Sequence, residues 1–308
     1  MQKLKHLISA TQFADRELLG ELFQSAQQME RDDVQRTLRV SLSGRILATI
    51  FYEPSTRTRL SFEAAMQKLG GGILTAENAR ENSSAAKGES IADAIRVIGG
   101  YADVIVMRHY EEGTAKAAAA ISPVPLINAG DGPGEHPTQA LVDIYSIRKE
   151  LGGVESIRIA LVGDLLYGRT IHSLLQLLCL YPGVTVDLIS PENLRLPSKY
   201  IEMLQQAGVS FRESDTLDES ISAADVVYIT RVQRERFSDI REYEAIKDSY
   251  FIDKQMAERM KPRAILMHAL PRVNEISPEV DANPRAAYFR QAKNGLYVRM
   301  ALLEHLLS

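Results

Sequence analysis

The sequence has a single cysteine and no apolar run of the length that crosses a membrane. Because Cys179 is alone, no disulfide can form within the chain, and no group of residues has the spacing of zinc ligands. The first residues also lack the apolar core of a secretory signal peptide. These absences favour a reducing cytoplasm as the location, with an organellar protein that has lost its transit peptide as the alternative.

An excess of positive charge is absent as well. The 36 lysines and arginines are outnumbered by 40 aspartates and glutamates, so the formal net charge is -4. This balance disfavours a general nucleic-acid binder, although a local group of arginines on an acidic protein can still bind a small anion. The hydrophobic share of 45% is typical of a globular protein with a packed core, and 308 residues favour two domains over one.

Short β-branched apolar runs alternate with segments of helical periodicity along almost the whole chain. The predicted strands are residues 46–51, 73–75, 104–107, 125–128, 157–162, 184–189, 209–212, 226–230 and 265–269. The predicted helices are residues 14–29, 56–69, 89–98, 111–120, 137–151, 169–180, 198–207 and 217–223, followed by a C-terminal helix. The alternation predicts an α/β fold of two doubly wound domains, each a mostly parallel sheet flanked by helices. A domain boundary is indicated near residues 150–158, where Gly152 and Gly153 end a helix.

The most unusual junction between a strand and a helix is "FYEPSTRTRLSFE", residues 51–63. Four side chains at the predicted helix start carry hydroxyl or guanidinium groups: Ser55, Thr56, Arg57 and Thr58. A helix N-terminus attracts anions, and an arginine fork matches phosphate oxygens. Because capping needs one hydroxyl and not three, we interpret the four residues as a phosphate site. For Arg59 the simpler interpretation is an ion pair with Glu63, one helical turn further on.

Parallel sheets bind ligands beyond the carboxyl ends of their strands, so the residues after the other strands are further candidates. The loop "GDLLYGRT" approaches a phosphate-binding loop, but Arg169 stands where that motif has lysine, and a surface arginine is an equal alternative. The remaining strand ends supply Arg108, His109, His136, Thr138, Gln139, Arg231, Gln233, Arg234 and Arg236. His136, before Pro137, is by itself more typical of a helix cap than of a catalytic group. The Leu270–Pro271 bond is a candidate cis bond.

These side chains are cationic and rich in hydrogen-bond donors, and they include neither an activated nucleophile nor a metal-binding motif. Positive charge holds anionic substrates in place, and donors stabilise the oxyanion that develops during group transfer. We therefore expect an enzyme that joins two anionic metabolites, one of which is already activated.

Seven motifs follow one another along the chain as they do in a known family. In order they are "FYEPSTRTRLSFE", "SSAAKGES", "VMRH", "NAGDGPGEHPTQAL", "VGDLLYGRT", "TRVQRERF" and "HALPRV". They resemble the catalytic chain of aspartate carbamoyltransferase over essentially the whole sequence, and "ENSSAAKGES" is more similar to the plant-like form than to the form with a separate regulatory chain. The resemblance implies transfer of the carbamoyl group of carbamoyl phosphate to L-aspartate, an early step of pyrimidine biosynthesis.

The resemblance also implies a role for each matching residue. A carbamoyl-phosphate-binding domain is expected at residues 1–137 and 293–308, and an aspartate-binding domain at residues 138–292. The residues expected to bind carbamoyl phosphate are Ser55, Thr56, Arg57, Thr58, Ser83, Lys87, Arg108, His136, Gln139, Leu270 and Pro271. Those expected to bind aspartate are Lys87, Arg169, Arg231, Gln233 and Leu270. Those expected to be catalytic are Arg57, Thr58, Lys87, Arg108, His136 and Gln139.

The implied assembly is a homotrimer that needs neither an organic cofactor nor a metal. Ser83 and Lys87 match loop residues that reach into the active site of a neighbouring subunit. A regulatory chain is not favoured, and a uridine nucleotide acting at the active site is the expected inhibitor. Neither nucleic acid nor a membrane is expected as a partner.

Three alternatives remain at this stage. Ornithine carbamoyltransferase shares "STRTR", but its "HCLP" motif is replaced here by "HALP", and "TRVQRER" supplies arginine for a second carboxylate that ornithine lacks. A catalytically inert scaffold would have lost residues of the phosphate site, which are all present, and a nucleotide switch would need the missing lysine. Ala86 and Leu166 stand where many relatives have lysine, so a less charged loop and weaker electrostatics at the aspartate site are expected. Ala269 stands where many have proline, so a less rigid turn at Leu270 is expected.

Overall fold

The computed structural model describes residues 4–13, 16–232, 239–246 and 249–308. The chain forms two compact units, one of residues 1–142 and 293–308 and the other of residues 143–292. Two helices, α6 (Pro137–Leu151) and α12 (Tyr288–Leu307), contain the points where the chain passes between the units. The division expected from the resemblance, at 137/138 and 292/293, stays a prediction.

The first unit contains a four-stranded parallel sheet in the order β2-β1-β3-β4. Its strands are β1 (Ile46–Phe51), β2 (Gly72–Glu77), β3 (Val104–His109) and β4 (Leu126–Asp131). Its helices are α1 (Arg16–Gln35), α2 (Thr56–Lys68), α3 (Ala79–Asn82), α4 (Ile91–Ile98) and α5 (Thr114–Ile121). Short 3₁₀ turns occupy Ala10–Gln12 and Ser84–Lys87.

The second unit contains a five-stranded parallel sheet in the order β7-β6-β5-β8-β9. Its strands are β5 (Arg158–Val162), β6 (Thr185–Ile189), β7 (Ser210–Ser214), β8 (Val226–Ile229) and β9 (Ile265–Met267). Its helices are α7 (Arg169–Leu178), α8 (Ser198–Gln206), α9 (Asp218–Ala223), α10 (Ile240–Ile246) and α11 (Lys254–Arg259). The two parallel sheets with their helices confirm the predicted fold class.

Each sheet has one place where the strand order reverses. In the first sheet, β1 lies between β2 and β3, so the chain winds outward in opposite directions from β1 and β3. In the second sheet, the corresponding pair is β5 and β8. A reversal of this kind opens a crevice beyond the carboxyl ends of the two strands, and ligands of open α/β sheets bind there. The residues that follow the strands at these crevices are 52–58 and 108–109 in one unit and 163–169 and 230–231 in the other, and they are the candidates for ligand binding.

The central strands are hydrophobic because helices cover both faces of each sheet. Residues 159–162 of β5 are fully buried, as are Leu47 and Ala48 of β1. By contrast β2, at the edge of its sheet, leaves Leu74 42% exposed. A continuous apolar run thus marks a central strand, and a mixed run marks an edge.

The structure differs from the predicted elements mainly where polar helices or short helices occur. Helix α1 continues to Gln35, six residues past the predicted end at Met29, because its last turns are polar and carry no apolar stripe. Helices α3, α10 and α11 have four, seven and six residues and were not predicted, since their few residues show no clear apolar periodicity. Within the described residues, no helix is both long and apolar enough to span a membrane.

An ion-pair network ties together strands β5, β6 and β7. The carboxylate of Asp187 is 1% exposed and accepts hydrogen bonds from Arg158 at 2.9 and 3.0 Å and from Arg212 at 3.0 Å. Burial alone would raise the pKa of Asp187, but the hydrogen bonds from Arg158 and Ser220 and the two arginine charges outweigh burial and lower it. The ionised Asp187 carboxylate on β6 therefore helps to hold the edge strand β7 in the sheet.

We expect Asp187→Asn to lower the free energy of unfolding by about 2 kcal/mol at neutral pH, because the charge that both arginines face is removed. The pKa of Asp187 in the folded protein lies below its ordinary value of 3.8. The stabilisation is therefore complete above the unfolded pKa and is lost as the pH falls through the folded one. Urea unfolding of both proteins from neutral pH to about pH 3 tests this. A stability difference that stays constant over that range would contradict it.

Candidate active site

The N-terminus of helix α2 is the place where the sequence predicts an anion to bind, and we call its residues 55–58 the cradle. Ser55 is the N-cap residue, yet its hydroxyl makes no capping hydrogen bond. The backbone N–H groups of the first helical turn have no partners inside the helix and point out of its end, where the helix dipole favours negative charge. The side chain of Thr58 is buried, whereas Thr56 is exposed. The helix end therefore offers N–H groups and the uncapped Ser55 hydroxyl, and phosphate binding there stays a prediction.

The two arginines of the cradle region have different surroundings. Among the described residues, none is hydrogen-bonded or ion-paired to the Arg57 side chain, and desolvation lowers the pKa of its guanidinium. Arg59 instead donates to Glu63 at 3.1 Å and to Glu77 at 2.7 Å. The predicted pairing of Arg59 with Glu63 is confirmed. Arg57 is thus the arginine that can meet a ligand, and Arg59 holds α2 against strand β2.

Arg108 lies beside the cradle, at the end of strand β3. Its neighbour in the sheet is Phe51, the last residue of β1, and its side chain is about nine-tenths buried. Its guanidinium donates to Glu53 at 2.5 Å and to the carbonyl of Ala129 at 3.3 Å. The sequence motif contained Glu53, but its role was missed. The Glu53 carboxylate fixes the direction of the Arg108 side chain, and no local sequence signal marks this contact, because it joins residues that are adjacent only once β1 and β3 pair.

His136 closes the same edge of the sheet from the loop that follows β4. It precedes α6, and its carbonyl accepts the N–H of Gln139 at 3.0 Å, as a helix cap does. Its ring Nδ1 lies 3.3 Å from the Thr138 hydroxyl, and the residue is 4% exposed. Asp131 holds the loop by accepting the N–H of Glu135 at 2.9 Å. The structure therefore gives His136 a backbone cap role and leaves its catalytic role as a prediction.

Two further candidates from the sequence lie on the segment after β2. The hydroxyl of Ser83 is used locally, since it donates to the carbonyl of Ala79 at 2.5 Å and accepts the N–H of Ala85 at 3.1 Å. Lys87 is exposed and forms no ion pair within the part of the chain that the structure describes. Its contact with a neighbouring subunit stays a prediction.

The second unit places two arginines at its own strand reversal. Arg169 opens helix α7 after β5, and Arg231 follows β8. The two strand ends approach closely, because Gly163 has a φ of +109° and a Cβ there would lie 2.4 Å from the carbonyl oxygen of Thr230. That close approach gives Gly163 a packing role in a loop that superficially resembles a nucleotide-binding loop. Gln233, Arg234 and Arg236 lie outside the described residues.

The turn at residues 268–271 follows strand β9 in the same unit. The Leu270–Pro271 peptide bond is cis, which confirms that prediction, and Leu270 has a φ of +56°. The ring Nδ1 of His268 accepts the N–H of Leu270 at 2.7 Å. The backbone of the turn is therefore held by one of its own side chains.

The described residues contain no group of three or more metal-ligating side chains. The chemistry that the two units offer is electrostatic. One strand reversal has a helix N-terminus with hydroxyls and Arg57 next to Arg108, and the other has Arg169 and Arg231. The first suits a phosphate group, and the second suits a ligand with carboxylates.

Comparison with known families divides the chain in two. Residues 5–149 match the family described as "Aspartate/ornithine carbamoyltransferase, carbamoyl-P binding domain". Residues 155–306 match "Aspartate/ornithine carbamoyltransferase, Asp/Orn binding domain".

Individual relatives are similar over nearly the full length. The chloroplastic aspartate carbamoyltransferase of Arabidopsis thaliana is 53% identical over 306 residues, which are 99% of this chain and 78% of that protein. The catalytic subunit of aspartate transcarbamoylase from Methanocaldococcus jannaschii has a TM-score of 0.91 and 49% identity, with 99% of this chain and 98% of that chain covered. Aspartate transcarbamoylase from Trypanosoma cruzi in complex with carbamoyl phosphate and aspartate has a TM-score of 0.94 and 42% identity, with 99% and 98% covered.

Proposed function

The chain belongs to the aspartate carbamoyltransferase catalytic subunit family, and on that premise we propose that it transfers the carbamoyl group of carbamoyl phosphate to the amine of L-aspartate. The products are N-carbamoyl-L-aspartate and phosphate, and the reaction is an early step of pyrimidine biosynthesis. The observation that carries this assignment is the cradle of residues 55–58 beside Arg108, at the strand reversal of the first unit.

Carbamoyl phosphate binds first in this proposal, with its phosphate in the cradle. The N–H groups of α2 and the hydroxyls of Ser55, Thr56 and Thr58 donate to the phosphate oxygens, and Arg57 adds a charged fork. Arg108 bridges the phosphate and the carbamoyl oxygen, and Glu53 sets its direction. Charge-assisted hydrogen bonds of this kind strengthen as the leaving phosphate gains negative charge, so they stabilise the transition state more than the substrate.

The carbamoyl group itself is polarised by a second set of donors. Thr58, Arg108 and His136 are assigned to its oxygen, and Gln139 and the Leu270–Pro271 carbonyl groups to its amine. Lys87 of a neighbouring subunit joins them. The donors assigned to the oxygen, Thr58, Arg108 and His136, meet the oxyanion of the tetrahedral intermediate, where charge develops in acyl transfer.

Aspartate then binds through its two carboxylates. Arg169, Arg231 and Gln233 are assigned to them, and an arginine fork matches a carboxylate in geometry and charge. The uncharged amine of aspartate attacks the carbamoyl carbon, a C–N bond forms, and the C–O bond to phosphate breaks. The departing phosphate accepts the amine proton, so the step needs neither a metal nor an organic cofactor.

The proposed assembly is a homotrimer with shared active sites and no regulatory chain. The match of Ser83 and Lys87 to loop residues that reach a neighbouring subunit's active site supports this assembly. Direct inhibition by a uridine nucleotide and a cytoplasmic location belong to the same proposal. Sedimentation of the native protein as a mixed assembly larger than a trimer would contradict the absence of a regulatory chain.

Shared sites predict that two inactive variants restore each other. We expect Arg57→Ala and Lys87→Ala trimers, each inactive alone, to regain activity after their subunits are exchanged. A site in a mixed trimer then combines the intact cradle of one chain with the intact Lys87 of another. Carbamoyl-aspartate formation before and after exchange is the measurement. No gain, with mass spectrometry confirming mixed trimers, would mean that each chain holds a complete site.

Purified protein supplied with carbamoyl phosphate and either aspartate or ornithine tests the proposed reaction. Turnover with aspartate alone is the expected result. Turnover with ornithine alone would favour the ornithine carbamoyltransferase alternative. An inactive protein that still binds phosphate and forms a trimer would favour the inert scaffold.

A further inference from the structure

A buried chain of hydrogen bonds runs through the second unit and ends at the 268–271 turn. It starts at Asp143, which is fully buried in α6. One carboxylate oxygen accepts the Tyr228 hydroxyl at 3.0 Å, and the other accepts the amide Nε2 of Gln291 at 2.7 Å. Burial and the nearby carboxylate raise the pKa of Tyr228 well above its ordinary value, so the hydroxyl stays a donor. Asp143 is therefore a fixed anchor with both oxygens occupied.

The next link is the amide of Gln291, whose orientation is set by its two partners. Its Oε1 must face the backbone N–H of His268, because an N–H can only donate, which leaves Nε2 as the donor to Asp143. That Oε1 accepts the backbone N–H of His268 at 3.0 Å. Gln291 is 1% exposed, so water cannot take over either bond. A rotated amide would lose both bonds at once.

The last member of this series of hydrogen bonds is the His268 ring, which contacts Leu270. Its Nδ1 accepts the N–H of Leu270 at 2.7 Å, and the residue is 3% exposed. Leu270 has a φ of +56°, a conformation that a non-glycine residue keeps only where its surroundings impose it. The bonds from Asp143 through Gln291 and His268 supply such surroundings.

We propose that Gln291 is a positioning residue for carbamoyl transfer. It joins the anchor Asp143 to the backbone of His268 and thereby fixes the carbonyl of Leu270. This inference rests on the proposed function, in which that carbonyl contacts the carbamoyl group. Gln291 touches no substrate and acts only through the turn.

The first test compares Gln291→Met with Tyr228→Phe. Both variants remove one donor from Asp143 in the same buried cluster, but only the first cuts the link to His268. We expect the kcat of Gln291→Met to fall about tenfold to a hundredfold, since a small displacement of a positioned group is that costly. Binding of inorganic phosphate, which needs only the cradle, should stay within about twofold in both variants because its contacts are untouched. Tyr228→Phe should keep its kcat within about threefold, because the link to the turn is intact.

The second test is the pH profile of Gln291→Glu. The new carboxyl faces Asp143, and two adjacent carboxyl groups share one proton up to a raised pKa. While that proton is present, the new side chain can donate to Asp143 and accept from His268, as glutamine does. Above the raised pKa the two carboxylates repel and the link breaks. We expect kcat near that of the native protein at low pH and an additional loss at high pH that the native protein lacks.

The outcomes separate this inference from the proposed function. An inactive native protein would overturn the proposed function and, with it, the inference. An active native protein whose kcat is matched by that of Gln291→Met would overturn the inference alone. If Gln291→Met proves too unstable to assay, the profile of Gln291→Glu decides, and the absence of its additional high-pH loss overturns the inference.

Discussion

Arg57→Ala is expected to reduce carbamoyl-aspartate formation by about a thousandfold or more, because a charged fork is lost where the leaving phosphate gains charge. Arg57 has no hydrogen bond or ion pair with another described residue, so its removal costs the fold little. The oligomeric state, proposed to be a trimer, and the unfolding midpoint should therefore be unchanged. Steady-state kinetics with saturating aspartate measure the effect.

Arg59→Gln is the matched control, since it removes a guanidinium two positions along the same helix. Its ion pairs with Glu63 and Glu77 are 2.7–3.1 Å long, and the Arg59 side chain is only 15% exposed. We expect the free energy of unfolding to fall by about 2 kcal/mol, because a largely buried charge pair is broken. Turnover should stay within about threefold, since no ligand contact is assigned to Arg59. Activity of Arg57→Ala within about tenfold of native would contradict the phosphate-cradle role.

Arg231→Gln is expected to lower kcat/KM for aspartate by about a hundredfold or more, because a charge-assisted contact to a carboxylate is lost. Arg231 follows β8 at the strand reversal of the second unit, where the ligand of such a sheet binds. Phosphate binding should not change, because the cradle belongs to the first unit. Initial rates over a series of aspartate concentrations separate the expected rise in KM from a change in kcat.

Arg241→Gln serves as the control for that variant. Arg241 lies in the same unit, its side chain is 89% exposed, and it pairs with Asp239 on the surface. Exposed pairs contribute little, so neither stability nor kinetics should change measurably. Equal losses in both variants would indicate a general effect of charge on aspartate attraction, and the specific carboxylate contact of Arg231 would then be wrong.

The buried strands were predictable from sequence because helices cover both faces of each sheet. Strands β1 and β5 are mostly apolar and were predicted within a residue of their observed bounds. The edge strand β2 is mixed and mostly exposed, so only its residues 73–75 were predicted. Helix α11 depends on tertiary packing of Ala257 and on the N-cap Asp253, whose carboxylate accepts the N–H of Met256 at 2.8 Å. A six-residue pattern carries too little periodicity to predict that helix.

Residues 55–58 were conspicuous in the sequence because a helix cap needs one hydroxyl and not three, and phosphate binding there stays a prediction. Glu53 was not conspicuous, because its contact with Arg108 joins residues that are adjacent only after β1 and β3 pair. The chain from Asp143 through Gln291 to His268 is non-local in the same way and uses residue types that are common in any helix. A sequence pattern thus identifies a group of unusual residues that are neighbours in the sequence. The residues that orient them are brought close only by the fold, so the sequence does not identify them.

The most direct test of the central claim is a competition between the two amino-acid acceptors. Carbamoyl phosphate labelled with carbon-13 at the carbonyl is supplied with equal amounts of aspartate and ornithine, and the labelled products are distinguished by NMR. We predict that carbamoyl-aspartate is formed and that carbamoyl-ornithine is not detected. Carbamoyl-ornithine as the main product would contradict the assignment of Arg169 and Arg231 to the carboxylates of aspartate.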